Sequence, residues 1–289
     1  MEIDGKKIAH FIGALLRKDL RAKKKKKKVP KLVVFLIGDA PEQRSYVKIK
    51  SLVAKKIGIK YQLVQLKSTP SFEDFAHKIK ETSINPETTG IIIQQPLPAQ
   101  LSTESLFDYI EDIKEIEGHK RKTRFSAPLG LAVLTLFKYI FGTQKLDKHL
   151  LVDMNRDRRF FKKAFRNKKI VLMGRGITGG KPIGKTLTDA KINYIGINSK
   201  TPDATTYLKE ADVIVTAVGK KVILPEMLKP GVVLINVGLR RENGRLRGDY
   251  DEAEIKKIAS FYTPTPGGIG PIDVMYLYKN LIESYKLQK

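Results

Sequence analysis

The sequence of 289 residues contains no cysteine and no tryptophan. The first absence excludes disulfides, thiolate nucleophiles and zinc sites built on cysteine. Acidic residues are scarce against basic ones: 30 Asp and Glu face 55 Lys and Arg, a formal charge of +25. Apolar runs such as Leu32–Ile37 and Gly90–Ile93 are short, far from the roughly 20 residues a membrane helix needs. Met1-Glu2-Ile3-Asp4 is not a basic segment leading into an apolar stretch. No secretory signal is therefore read, and the expected location is the cytoplasm. The histidines (His10, His77, His119 and His149) are widely scattered, so no metal-ligand cluster is expected.

What is present is a globular composition, 42% hydrophobic, in which strand and helix patterns alternate. Ile8, Phe11, Ile12, Leu15 and Leu16 recur at helical spacing. Leu32–Ile37 reads as a buried strand, followed by a helix over 42–56 that stops at Gly58. A strand over 61–66, a helix over 72–82 capped by Ser71 and a strand at 90–93 complete an α/β rhythm with a mainly parallel sheet. Pro128–Tyr139 is a strongly apolar helix. A second α/β unit begins at Lys169, with strands expected at 170–173, 192–197, 213–217 and 232–237. Helices are expected over 251–259 and 272–287. The excess positive charge attracts anions, including dinucleotides and nucleic acid. Much of it lies in Lys23–Lys28 and Arg156–Lys169, read here as solvated segments. Phe160, Phe161 and Phe165 are spaced as a core-facing stripe of a helix, which disfavours a nucleic-acid interface there.

Gly174-Arg175-Gly176-Ile177-Thr178-Gly179 follows a strand and leads into a helix. Its three glycines fit the G-x-G-x-x-G pattern. There the backbone turns tightly and approaches a pyrophosphate resting on a helix N-terminus. A glycine-rich turn can also be purely structural, but the strands that follow favour a dinucleotide. An NAD site usually carries an acid at the end of the next strand. Here that strand ends Asn198-Ser199-Lys200. Arg175, Ser199 and Lys200 suit a 2′-phosphate, so NADP is expected ahead of NAD.

Thr263-Pro264-Thr265-Pro266-Gly267-Gly268-Ile269-Gly270-Pro271 packs three prolines and three glycines into nine residues. This segment resembles the terminal signature of the bifunctional methylenetetrahydrofolate dehydrogenase/methenyltetrahydrofolate cyclohydrolase family. Similar landmarks follow the family's order: Asp4-Gly5, Gly38-Asp39-Ala40-Pro41, Ser45-Tyr46 with Lys50, Gln94-Gln95-Pro96-Leu97-Pro98, the glycine loop, Asn198–Thr201, Ala217-Val218-Gly219, Asn236–Leu239 and Gly248-Asp249. The family's K-D-V-D-G-F block reads Lys114-Glu115-Ile116-Glu117-Gly118-His119 here, so Glu117 replaces an aspartate with a side chain longer by one methylene.

The resemblance implies oxidation of 5,10-methylenetetrahydrofolate with NADP, then hydrolysis to 10-formyltetrahydrofolate, a step of one-carbon metabolism serving purine biosynthesis. Tetrahydrofolate is then the carrier on which the carbon travels. Lys50 matches the catalytic lysine, Tyr46 its partner and Gln94 a glutamine that hydrogen-bonds it. From the residues alone Lys50 is one surface lysine among many. Tyr46, Glu117, Gly267, Gly268, Pro271 and Asp273 are implied on the folate side. Gly174, Arg175, Gly176, Gly179, Ser199, Lys200, Gly219 and Leu239 are implied on the cofactor side, with no metal. The implied architecture is two α/β domains with a cleft between them. One is a folate-binding catalytic domain (1–127 with 271–289), the other a Rossmann-like NAD(P)-binding domain with a linking helix (128–270). A homodimer is implied as well. Alternatives are a folate dehydrogenase without hydrolase activity, or a diverged scaffold binding nucleic acid through its basic stretches.

Overall fold

The computed structural model describes residues 1–22, 29–120 and 122–288. The lysine run at 23–28 and Arg121 therefore lie outside the described residues. The chain divides into two units, one of Met1–Ile12 with Leu129–Asp273 and one of Gly13–Pro128 with Val274–Lys289. Helix α1 (Gly5–Ala22) contributes to both. It buries Ile8, Ile12, Leu16 and Leu20 along one face, as a repeat of four residues on a helix requires.

One unit is built on a three-stranded parallel sheet in the order β2-β1-β3, from β1 (Lys31–Ile37), β2 (Lys60–Leu66) and β3 (Gly90–Ile93). Its crossovers are α2 (Pro41–Ile57) and α3 (Phe72–Ile84). The central strand is buried on both faces from Leu32 to Ile37, which explains its continuous apolar run. Pro41 opens α2, and Gly58 ends it at φ 92° with its N–H on the Ala54 carbonyl. That left-handed cap suits glycine. Ser71 caps α3 by accepting from the Asp74 N–H at 3.0 Å. Phe35, Phe75, Ile79, Ile91 and Ile93 form the core beneath the sheet.

The other unit, after Met1–Ile12, continues with α4 (Pro128–Phe141) and α5 (Met154–Ala164). Phe161 and Phe165 are buried. Phe165 packs against Phe137 and Phe141 at ring-centroid distances of 4.7 and 5.0 Å. Those rings belong to the core, while the basic side chains around them face outward. The sheet follows, with β4 (Ile170–Met173), α6 (Gly180–Asp189), β5 (Ile195–Ile197), α7 (Ala204–Glu210), β6 (Val213–Thr216) and β7 (Val233–Asn236). An antiparallel ribbon of β8 (Arg240–Glu242) and β9 (Arg245–Arg247) comes next, then α8 (Glu252–Ile255) and β10 (Phe261–Tyr262); α9 (Ile269–Leu287) begins in this unit and from Val274 onward belongs to the three-stranded one. The order is β10-β7-β6-β4-β5, with every pairing parallel. Crossing from β4 to β5 on one side and to β6 on the other creates the switch point typical of open α/β sheets.

The β8–β9 ribbon and β10 were not expected, and three of the expected elements differ most in extent. The helix expected over 251–259 closes after one turn. Helix α9 starts at Ile269 rather than 272. The strand expected over 192–197 is confined to Ile195–Ile197, because Ile192 turns inward and bonds the Leu187 carbonyl.

Candidate active site

In the three-stranded unit the first parts of a site lie along α2 and at the carboxyl end of β3. Tyr46 and Lys50 are four residues apart on α2, which puts them on one face. Tyr46 keeps 40% of its surface exposed. The Lys50 side chain is 13% exposed, and its Nζ donates to Gln94 Oε1 at 2.9 Å. Gln94 directly follows β3 and is buried; its own amide donates to the Gln95 carbonyl at 2.8 Å. That second bond settles which end of the amide meets the lysine. Tyr278 of α9 donates to the Lys50 carbonyl at 2.5 Å, so the backbone beneath the lysine is pinned as well.

Glu117 reaches the same lysine from a separate segment. Its Oε1 stands 3.8 Å from Lys50 Nζ, and its Oε2 stands 3.7 Å from His119 Nε2. The bend that presents it is over-determined. Glu115 is buried and accepts from the backbone N–H of Glu117 and of Gly118. Gly118 sits at φ 79°, and a Cβ there would lie 2.9 Å from the Ala127 nitrogen and the Phe125 carbonyl oxygen, so only glycine fits. Asn280 of α9 donates to the Ile116 and Ser126 carbonyls on either side. Burial pushes the Glu117 carboxyl up, but Lys50 and His119 outweigh it and hold its pKa below the ordinary value. Burial pulls His119 down, but Glu117, with Glu115 behind it, outweighs that and raises its pKa.

In the five-stranded unit the cofactor candidates stand at the carboxyl ends of adjacent strands. Met173 pairs with Ile197, so the chain leaves β4 and β5 at one level, with Arg175 and Ser199 each two residues beyond. Arg175, Ser199 and Lys200 are exposed. Gly174 has φ 110°, and a Cβ on it would lie 2.4 Å from the Ala217 carbonyl oxygen. Gly176 faces open space, whereas Gly179 sits against the Ala217 Cβ. Gly180, which the spacing pattern passes over, is the tightest of the loop: a Cβ there would lie 2.0 Å from the Gly174 carbonyl oxygen. A Cβ on Gly219 would lie 3.2 Å from the Leu239 carbonyl oxygen.

Residues 3–117 match the catalytic domain of the tetrahydrofolate dehydrogenase/cyclohydrolase family, and residues 159–289 match its NAD(P)-binding domain. The sequence is 31% identical over 295 residues to the bifunctional protein FolD of Staphylococcus aureus, an overlap covering 99% of this chain and 97% of that one. The chain belongs to the tetrahydrofolate dehydrogenase/cyclohydrolase family. The FolD dehydrogenase/cyclohydrolase of Campylobacter jejuni superposes with a TM-score of 0.87 at 25% identity, over 100% of this chain and 99% of that one. That of Trypanosoma brucei shares the fold at 22% identity and a TM-score of 0.85, over 99% and 97%.

Tyr46, Lys50, Gln94 and Glu117 all fall in the part matched to the family's catalytic domain, and the structure gathers the last three around one amine. Gly267, Gly268, Pro271 and Asp273 fall in the NAD(P)-binding match, at the opening of α9. Gly267 sits there at φ 109°, and the Gly268 N–H bonds the Pro264 carbonyl. Gly5 packs against that turn so closely that a Cβ would overlap the Gly268 carbonyl oxygen, a reason for glycine beside Asp4.

Sequence reasoning gave no role to three further residues. Gln43 is buried and donates to the Pro96 carbonyl at 2.6 Å, tying α2 to the loop after Gln94. His119 completes the surroundings of Glu117. Asp249 is fully buried and accepts from the backbone N–H of Val218, Gly219 and Lys220 at 2.9, 2.8 and 3.1 Å. It thereby sets the loop after β6. A helical spacing could have singled out Gln43 as inward-facing. No local pattern marks the other two.

Proposed function

We propose that this protein oxidises 5,10-methylenetetrahydrofolate to 5,10-methenyltetrahydrofolate with NADP and then hydrolyses the product to 10-formyltetrahydrofolate. The observation that carries the reading is the lysine amine held between Gln94 and Glu117, in a chain of this family whose other unit ends its strands in a glycine loop. The glycine loop fits a dinucleotide: Gly174 and Gly180 admit no side chain, and Gly176 leaves its outer face open. Arg175, Ser199 and Lys200 would hold the 2′-phosphate, and the absence of an acid at the end of β5 favours NADP over NAD. Gly174, Gly176 and Gly179 would admit the pyrophosphate to the start of α6, with Gly219 and Leu239 bordering the cofactor at the next strand ends. NADP supplies the hydride acceptor.

On the folate side Glu117 would accept from the pterin donors, and the exposed ring of Tyr46 would stack on the aminobenzoyl group. Gly267, Gly268, Pro271 and Asp273 would complete that side. In hydrolysis, water adds to the methenyl carbon and a ring C–N bond breaks. Water gives up two protons on becoming the formyl oxygen: one must reach the departing nitrogen and the other leaves to solvent, and Lys50 is the group placed to relay the first. Gln94 keeps the amine in place through the cycle. We assign folate binding and catalysis to residues 1–127 with 271–289, and dinucleotide binding to residues 128–270. The proposal includes a homodimer in the cytoplasm serving purine biosynthesis. Among the described residues no helix is long and apolar enough to cross a membrane.

The test is incubation of purified protein with 5,10-methylenetetrahydrofolate and NADP, then NAD, following reduced cofactor and methenyl product by absorbance. Reduced NADP without accumulated methenyl product supports both activities. Accumulating methenyl product would leave the dehydrogenase alone, and no turnover with either cofactor would overturn the reading.

A further inference from the structure

Glu117 is unusual in having a basic side chain facing each oxygen. Lys50 approaches Oε1 from α2, and His119 approaches Oε2 from the same bend that carries the carboxylate. A carboxylate offers about four lone-pair sites. With one basic group facing each oxygen at 3.8 and 3.7 Å, lone pairs remain on both for a bidentate substrate donor. A glutamate carries one more rotatable bond than an aspartate, so holding those two sites in a single orientation needs an outside restraint.

The imidazole is itself held. It stacks on Phe107 with ring centroids 4.4 Å apart and planes 23° from parallel, and Phe107 is buried. The charged groups acting on it are Glu117 and Glu115 from its own segment and Lys50 from α2. The other packed ring, Phe107, has no charge.

We propose that His119 is a positioning residue for Glu117: as an imidazolium it fixes one carboxylate oxygen while Lys50 fixes the other, and its deprotonation releases the carboxylate. This rests on the folate reading above and adds to it that substrate affinity responds to pH through His119. The sign follows from the charge. Glu117 stays ionised across the neutral range, so the pair is intact at low pH. It weakens as the pH rises through the raised pKa of His119.

Two measurements decide it. In the first, the His119 ring is titrated by NMR in the wild type and in Glu117→Gln. The proposal expects titration above the ordinary histidine value in the wild type and a return toward that value in the variant. An unchanged titration overturns it. In the second, KM for 5,10-methylenetetrahydrofolate is followed from pH 6 to 9 in the wild type and in His119→Phe, which keeps an aromatic ring on Phe107. The wild-type KM should rise roughly fivefold across the range. The variant should be flat near the alkaline wild-type value, with the change falling on KM rather than kcat. Parallel profiles in the two proteins also overturn the proposal. Wild-type protein that turns over no folate defeats the functional reading instead, and the NMR titration then decides the His119–Glu117 pairing by itself.

Discussion

Replacing Asp249 by asparagine keeps the shape of the side chain and removes one acceptor. In the folded protein Oδ1 accepts from Gly219 and Lys220, and Oδ2 accepts from Val218. The better orientation of the new amide leaves its oxygen on the first two donors. Its NH2 then faces the Val218 N–H across a 2.9 Å gap. A charge-assisted bond is lost, two donors oppose each other, and no solvent reaches the site, since Asp249 is fully buried. Turning the side chain the other way is worse, because two donors then lose their acceptor. Asp249 also has no room to move: a Cβ on Gly238 would lie 2.2 Å from its carboxylate oxygen. The expected cost is about 2–4 kcal/mol of folding stability. Because the same bonds set the loop carrying Gly219, NADP should bind about tenfold more weakly, equivalent to about 1.4 kcal/mol. Urea unfolding with an unchanged slope measures the first, and calorimetric titration of the refolded protein measures the second. Stability within about 0.5 kcal/mol of the wild type, with unaltered NADP affinity, would refute the reasoning.

Lys138→Met should destabilise the protein by about 3 kcal/mol in urea unfolding. The Asp157 side chain is 7% exposed, and the substitution removes the ammonium 2.6 Å from its Oδ2, leaving Arg156 and the Asp153 N–H beside it. Glu117→Gln should be less stable than the wild type at pH 7, and the gap should close as the pH falls below about 4. The sign follows from a folded-state pKa held down by Lys50 and His119. Such a group contributes stability above its unfolded pKa and loses it as it protonates. A gap that persists undiminished at acid pH would contradict this.

The sequence makes most of the parallel strands legible because β1, β3, β4, β6 and β7 are mainly apolar runs between glycines and helical patterns. Leu32–Ile37 is the clearest case, and it is the central strand. The β8–β9 ribbon was not read, because Arg240–Glu242 and Arg245–Arg247 carry no apolar alternation. Its one signal was Asn243-Gly244, a dipeptide suited to a tight hairpin turn, and both residues have positive φ. The tie between Lys50 and Glu117 spans 67 positions of sequence, beyond any local pattern. Only the family resemblance brought the two together in advance. Asp249 was quoted as a landmark of the resemblance, but its role stayed invisible for a different reason. Its partners are backbone N–H groups 29 to 31 residues away, and a backbone donor leaves no mark on residue type. His119 was set aside as a scattered histidine, since its meaning comes from Phe107 beneath it and Glu117 beside it.

The central claim is that Lys50 moves the proton in hydrolysis. It is tested most directly by Lys50→Met, assayed separately for NADP reduction and for hydrolysis of supplied 5,10-methenyltetrahydrofolate. The account predicts that hydrolysis falls by about two to four orders of magnitude, while NADP reduction persists and methenyl product accumulates. Hydrolysis at the wild-type rate in a folded Lys50→Met protein would contradict it.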